Sequence, residues 1–210
     1  MQAERLPAVP DPVPFAARAS HPGYADLMQV SRFPADLRTA AFAGVITRAL
    51  ATRRGPLIRG LTERNFQDLM RTCFPGYQLR NGWTPPPGNP AVDEFDDLRQ
   101  LLLDHCAHPG EASTWLSCAI ASAAMQENHL WQDMGLPNRP LLSQLLRENY
   151  PALAMRNMGD MKWKKFFYRQ LCERAGVMIC KSPNCADCCD HALCFAPESP
   201  QGNGMQIRRS

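Results

Sequence analysis

The chain is predicted to be all-α, a compact multi-helix domain ending in a cysteine-rich metal-binding loop, with disordered tails. Three observations carry this. Apolar residues recur at three- and four-residue steps in several successive segments, no segment of similar quality alternates apolar with polar residues, and Gly or Pro punctuates the segment ends. Four cysteines spaced Cx4Cx2Cx5C then crowd into Cys180–Cys194, a spacing that belongs to metal sites.

Residues 1–33 are expected to be a mobile proline-rich arm, because Pro7, Pro10, Pro12 and Pro14 favour extended, polyproline-like backbone. The helical domain is placed at 34–179. Leu37, Ala41, Val45 and Ala49 step by four, Ile46 and Leu50 widen that stripe, and Gly55-Pro56 ends it. In the next helix Thr62 is the expected N-cap, Leu61 can staple to Phe66, and Phe66, Leu69, Met70 and Cys73 share a face that ends at Pro75-Gly76. The run Thr84–Pro90 cannot build a hydrogen-bond ladder and is a stiff connector between two helical parts.

After the connector, Asp93, Glu94, Asp96 and Asp97 supply the negative charge that a helix start favours, and Phe95, Leu98, Leu102 and His105 align. From Ser113 to about Asn128, Leu116, Ile120, Ala123 and Ala124 form a small-residue stripe that a neighbouring helix can approach closely. Pro137 and Pro140 bracket a turn, Leu141, Leu142, Leu145 and Leu146 form the next apolar face, and Leu153, Met155 and Met158 continue toward Gly159. The last helix has Asp160 placed as its cap, Trp163, Phe166, Phe167, Gln170 and Leu171 at helical spacing, and Gly176 as terminator. Val177, Met178 and Ile179 strap the start of the cysteine loop, 180–195, to the helical body, and 196–210 form a disordered tail.

The charge balance, 23 Lys and Arg against 20 Asp and Glu for a net +3, does not announce nucleic-acid binding. No apolar leader or stretch approaching the roughly 18 residues of a membrane span is present, so a soluble, cytoplasmic chain is expected. Nine cysteines without an export signal argue for reduced, metal-binding thiols over disulfides. Cys73, Cys106, Cys118 and Cys172 stand alone in apolar surroundings and are expected to be core residues.

Cys180, Cys185, Cys188 and Cys194 could each ligate a separate corner of an iron–sulfur or mixed-metal cluster, whereas a zinc ribbon would ordinarily draw a second CxxC pair that is absent here. Cys189 leaves the register open, since gaps counted through Cys189 are as compact as those through Cys188. His191 lies in the same loop, as a surface residue or a replacement ligand. Lys162, Lys164, Lys165, Arg169 and Arg174 on the preceding helix form either a solvated basic face or one that faces an anionic cluster, a tetrahedral oxyanion or a partner.

Three segments together resemble the NifQ family of biological nitrogen fixation: Trp163–Arg174, Cys180-Lys-Ser-Pro with its cysteine spacing, and Asn128–Leu136. The resemblance covers about residues 115–198. It implies a carrier of a molybdenum–iron–sulfur cluster, not an enzyme, that takes molybdenum from molybdate or another source. The recipients it implies are the scaffold complex of iron–molybdenum cofactor assembly and the nitrogenase iron protein. Carried over by position, the family's cysteines fall on Cys180, Cys185, Cys188 and Cys194, with Cys189 an addition, and His129 is either an auxiliary ligand or entry residue for molybdenum or a residue that bonds a backbone carbonyl and fixes its turn. An iron–sulfur electron-transfer protein and a zinc-stabilised interaction module are the competing readings.

Overall fold

A computed structural model describes residues 23–52, 56–79, 94–176 and 191–198. The connector at 84–90, the strap at 177–179 and most of both tails lie outside the described residues. Among the described residues there are ten α-helices and no strand: α1 (Tyr24–Gln29), α2 (Leu37–Thr52), α3 (Glu63–Cys73), α4 (Phe95–Asp104), α5 (Glu111–Ala124), α6 (Leu130–Asp133), α7 (Arg139–Asn149), α8 (Pro151–Met155), α9 (Trp163–Arg174) and α10 (His191–Phe195).

The core is built around α5. Its Leu116, Cys118, Ala119, Ile120 and Ala121 are completely buried, and it packs against α2, α3, α4 and α6. Alanines let neighbouring helices come close, and the same device recurs in α2, where Ala40, Ala41 and Ala43 are completely buried. Cys73 and Cys118 are core thiols, and burial pushes both above their ordinary range, Cys118 to about 11. Cys106 and Cys172 are half-buried.

The expected start of α3 is found as a cap: Thr62 Oγ1 accepts the Asn65 N–H at 3.2 Å, and Leu61 and Phe66 are both buried. In α9, Trp163, Phe166 and Phe167 form an aromatic cluster with ring centroids 5.7–6.0 Å apart, and the Trp163 indole N–H donates to Ser143 Oγ of α7 at 2.9 Å. Arg174 ties the far end of α9 to Asp104 of α4 at 2.7 Å.

Four local readings are revised. Within the expected arm, Tyr24–Gln29 is a helix whose Tyr24 and Leu27 are buried. The helix expected over 113–128 ends at Ala124, and a separate short turn, α6, follows it. Within the expected loop, His191–Phe195 is a helical turn. Asp160 is not the cap of α9: Lys162 holds the N-cap position, while Asp160 has φ 53° and its carboxylate accepts from Arg139 at 2.9 Å.

Candidate functional site

Of the cysteines in the metal-site spacing, Cys180, Cys185, Cys188 and the neighbouring Cys189 lie outside the described residues, and Cys194 lies on α10. Cys194 is half-buried at the margin of the core. Its carbonyl accepts the Lys162 N–H at 2.8 Å, which brings α10 back to the start of α9. Phe195 packs on Gly159, where a Cβ would come within 3.3 Å of its ring, and His191, one turn before, stacks on Phe195 with centroids 4.4 Å apart. His191 is exposed. Among the described residues no three His, Cys, Asp or Glu side chains converge as a metal site, and Cys194 is held there through its backbone carbonyl.

The other motif, Asn128–Leu136, forms a buried charge cluster. The Asp133 side chain is fully buried on α6 and receives Arg48 of α2 at 3.0 Å, Lys164 of α9 at 2.7 Å and the Asn128 amide at 3.0 Å. Lys164 also donates to the Gln126 carbonyl at 2.6 Å. Burial lowers the Lys164 ammonium from its ordinary value, and the Asp133 carboxylate opposes that shift by attraction and hydrogen bonding. A buried carboxylate is tolerable only with such partners.

Glycines set how closely α6 can approach α2. Gly135 turns at φ +65°, and a Cβ there would stand 2.5 Å from the Gly44 Cα; a Cβ at Gly44 would in turn come within 2.7 Å of Gly135. This backbone-to-backbone contact holds the turn after Asp133 against α2, within reach of Arg48.

His129, at the N-cap of α6, presents Nδ1 to Glu198 Oε1 at 3.6 Å, and its backbone N–H donates to Gln132 Oε1 at 3.1 Å. The Glu198 side chain is almost wholly buried, so the segment after α10 is anchored on the same turn that carries Asp133. The cations of α9 divide. Lys164 points inward to Asp133, Lys162 is half-buried, Arg169 bonds Glu173 one turn on at 2.7 Å, and Lys165 is exposed.

The NifQ family model matches residues 41–196. The chain belongs to the NifQ family. It is 39% identical over 157 residues to Protein NifQ of Azotobacter vinelandii, covering 68% of this chain and 80% of that protein. It is 37% identical over 153 residues to Protein NifQ of Rhodobacter capsulatus, covering 72% and 84%. To the Protein NifQ homolog of Sinorhizobium fredii it is 34% identical over 170 residues, covering 76% and 72%. No solved structure matches. NifQ membership implies a role in nitrogen fixation and iron–molybdenum cofactor biosynthesis. The matched span of this NifQ chain runs from within α2 to just past Cys194 and includes Arg48, Asp133 and Lys164.

Sequence reasoning singled out His129 and the lysines but passed over Asp133, Arg48 and Glu198. The available signal was Asp133 itself, an acidic residue between Leu130, Trp131 and Met134, Leu136 in a segment already noted for its motif. An ionised side chain in so apolar a stretch calls for a partner.

Proposed function

We propose that this chain binds molybdenum in an iron–sulfur environment, with Cys180, Cys185, Cys188 and Cys194 as ligands, and donates it to assembly of the nitrogenase iron–molybdenum cofactor. The cargo enters from molybdate or another molybdenum source and leaves to the cofactor scaffold complex and the nitrogenase iron protein; the chain acts in the cytoplasm as a carrier and not as a turnover catalyst. The observation that carries this reading is the thiol set, all four positions of which lie within the NifQ-matched span of residues 41–196. Thiolates are soft donors that suit iron and reduced molybdenum, so the donor chemistry fits the cargo.

Cys194 supports the reading in a second way. Its backbone is fixed by the Lys162 N–H while its side chain is only half-buried, which suits a ligand that must hold metal and still let a partner reach it. Lys165, exposed on the adjacent helix, supplies positive charge toward an anionic cargo or an acidic partner surface.

Anaerobic purification from molybdate-replete cells, followed by analysis for Mo, Fe and Zn with electronic spectra, tests the proposal. Molybdenum and iron together are expected. Zinc alone sinks the reading, and iron with sulfide but no molybdenum moves it to electron transfer. Cys188→Ser is expected to deplete the metal while Cys189→Ser leaves it near the wild-type level; the reverse assigns the third ligand to Cys189.

A further inference from the structure

The turn that receives α10 is itself held by side chains from elsewhere. Asn157 pairs with both backbone groups of Met161: its Nδ2 donates to the Met161 carbonyl at 2.9 Å, and its Oδ1 accepts the Met161 N–H at 2.9 Å. Arg139, at the first position of α7, reaches the same turn. One of its terminal nitrogens donates to the Asp160 carbonyl at 2.7 Å, to Asp160 Oδ1 at 2.9 Å and to the Met161 carbonyl at 3.0 Å. Together they hold Asp160 in its left-handed conformation, φ 53°, which the short polar side chains of Asp and Asn tolerate better than most.

This bracing is not explained by the needs of either helix. A cation in the first turn of α7 is opposed by the helix dipole. The ordinary device for starting α9 would be a Ser, Thr, Asp or Asn at its N-cap, and that position is Lys162, whose side chain makes no capping bond. What the braced turn does provide is a seat for α10. Gly159 takes the Phe195 ring, and the Lys162 N–H, an otherwise orphaned donor at a helix start, bonds the carbonyl of Cys194.

We propose that Arg139 and Asn157 are positioning residues for Cys194: by bracing the 157–161 turn they aim the Lys162 N–H at the Cys194 carbonyl and so fix where this thiol stands. The inference deepens the reading of Cys194 as a metal ligand and rests on it for its functional meaning. Neither residue touches the metal; each acts through the turn.

The test uses the full-length apo chain, kept reduced, in amide hydrogen exchange. Arg139→Met and Asn157→Ala are each expected to speed exchange at the Lys162 amide about five- to tenfold, the scale of one hydrogen bond's net worth, while amides of α5 keep their wild-type rates. Asn157→Asp, which keeps the acceptor for the Met161 N–H, should fall between. Unchanged protection at Lys162 in both variants overturns the proposal, as does a uniform rise that includes α5, since that marks general stabilisers. Loading with iron and sulfide against a competing chelator supplies the second readout: both variants should lose iron at lower chelator concentration than wild type, and equal retention overturns the positioning role. If wild type itself holds no iron, the metal-ligand reading falls and takes the functional meaning of this proposal with it.

Discussion

Replacing Asp133 by Asn keeps the shape of the side chain and removes its charge. Arg48 and Lys164, whose side chains are only 22% and 17% exposed, would then face each other without the carboxylate that both bind. Removing one partner of a buried ion pair costs about 3–5 kcal/mol, because the remaining charge is left uncompensated. Two cations are stranded here, and each retains some access to water, so a loss of about 3–5 kcal/mol is expected rather than twice that. At about 2–4 °C per kcal/mol for a chain of this size, the melting point should fall by about 6–20 °C. Urea unfolding of the metal-free, reduced chain measures it. The deficit should also shrink at alkaline pH. Lys164 already has a lowered pKa through burial, and without the Asp133 attraction it falls further. The native state then sheds the Lys164 proton before the unfolded chain does, so stability rises with pH from the folded value up toward the ordinary 10.5. In the Asp133→Asn background, Lys164→Met should recover part of the loss. A variant within about 1 kcal/mol of wild type, a typical surface-pair effect, would refute the view that this cluster is buried and mutually dependent.

Two further perturbations test the frame around the site. Gly44→Ala should destabilise the fold by about 1–3 kcal/mol, as overpacking does, because the new Cβ meets the Met134 carbonyl and Gly135; an unchanged urea midpoint would show that α2 and the 134–135 turn do not touch through backbone. Asp104 is held below its ordinary 3.8 by the Gln100 amide and then by Arg174, so its stabilising contribution is present above that value and drains away as pH falls through the lower folded value. Arg174→Ala should raise the Asp104 pKa in a proton-detected titration, and no change would remove Arg174 as a cause.

What could be read from sequence was the part that depends on local repetition. The Thr62 cap and the stripes Phe66, Leu69, Met70, Cys73 and Trp163, Phe166, Phe167 follow from residues within one or two turns of each other, and all of those apolar residues are buried. Helix α1, with six residues, and α6, with four, are too short for periodicity to emerge. Asp160 has the chemistry of a cap, but Arg139, 21 positions away, claims its carboxylate. Lys164 sits in a basic run that suggests a solvated face, yet it stands three residues before Phe167 on the flank of the buried stripe and finds Asp133, 31 positions upstream. Charge types are visible in sequence; which charges meet is decided by packing. For the candidate site, the family and the thiol spacing were legible, whereas the contacts of Arg139 and Cys194 with the braced turn span 21 positions or more, beyond any local pattern.

The Asp133 cluster bears on how the molecule opens. α2, α6 and α9 each contribute one of its charges, so a form in which a single one of them has come away would leave an ionised group facing apolar walls. Such forms are suppressed, and the three helices leave the native state together. At Cys194 a backbone hydrogen bond ties α10 to the start of α9, and next to it the Phe195 ring lies on Gly159. Breaking those two contacts leaves the Asp133 charges paired, so opening at this thiol need not carry the three helices with it.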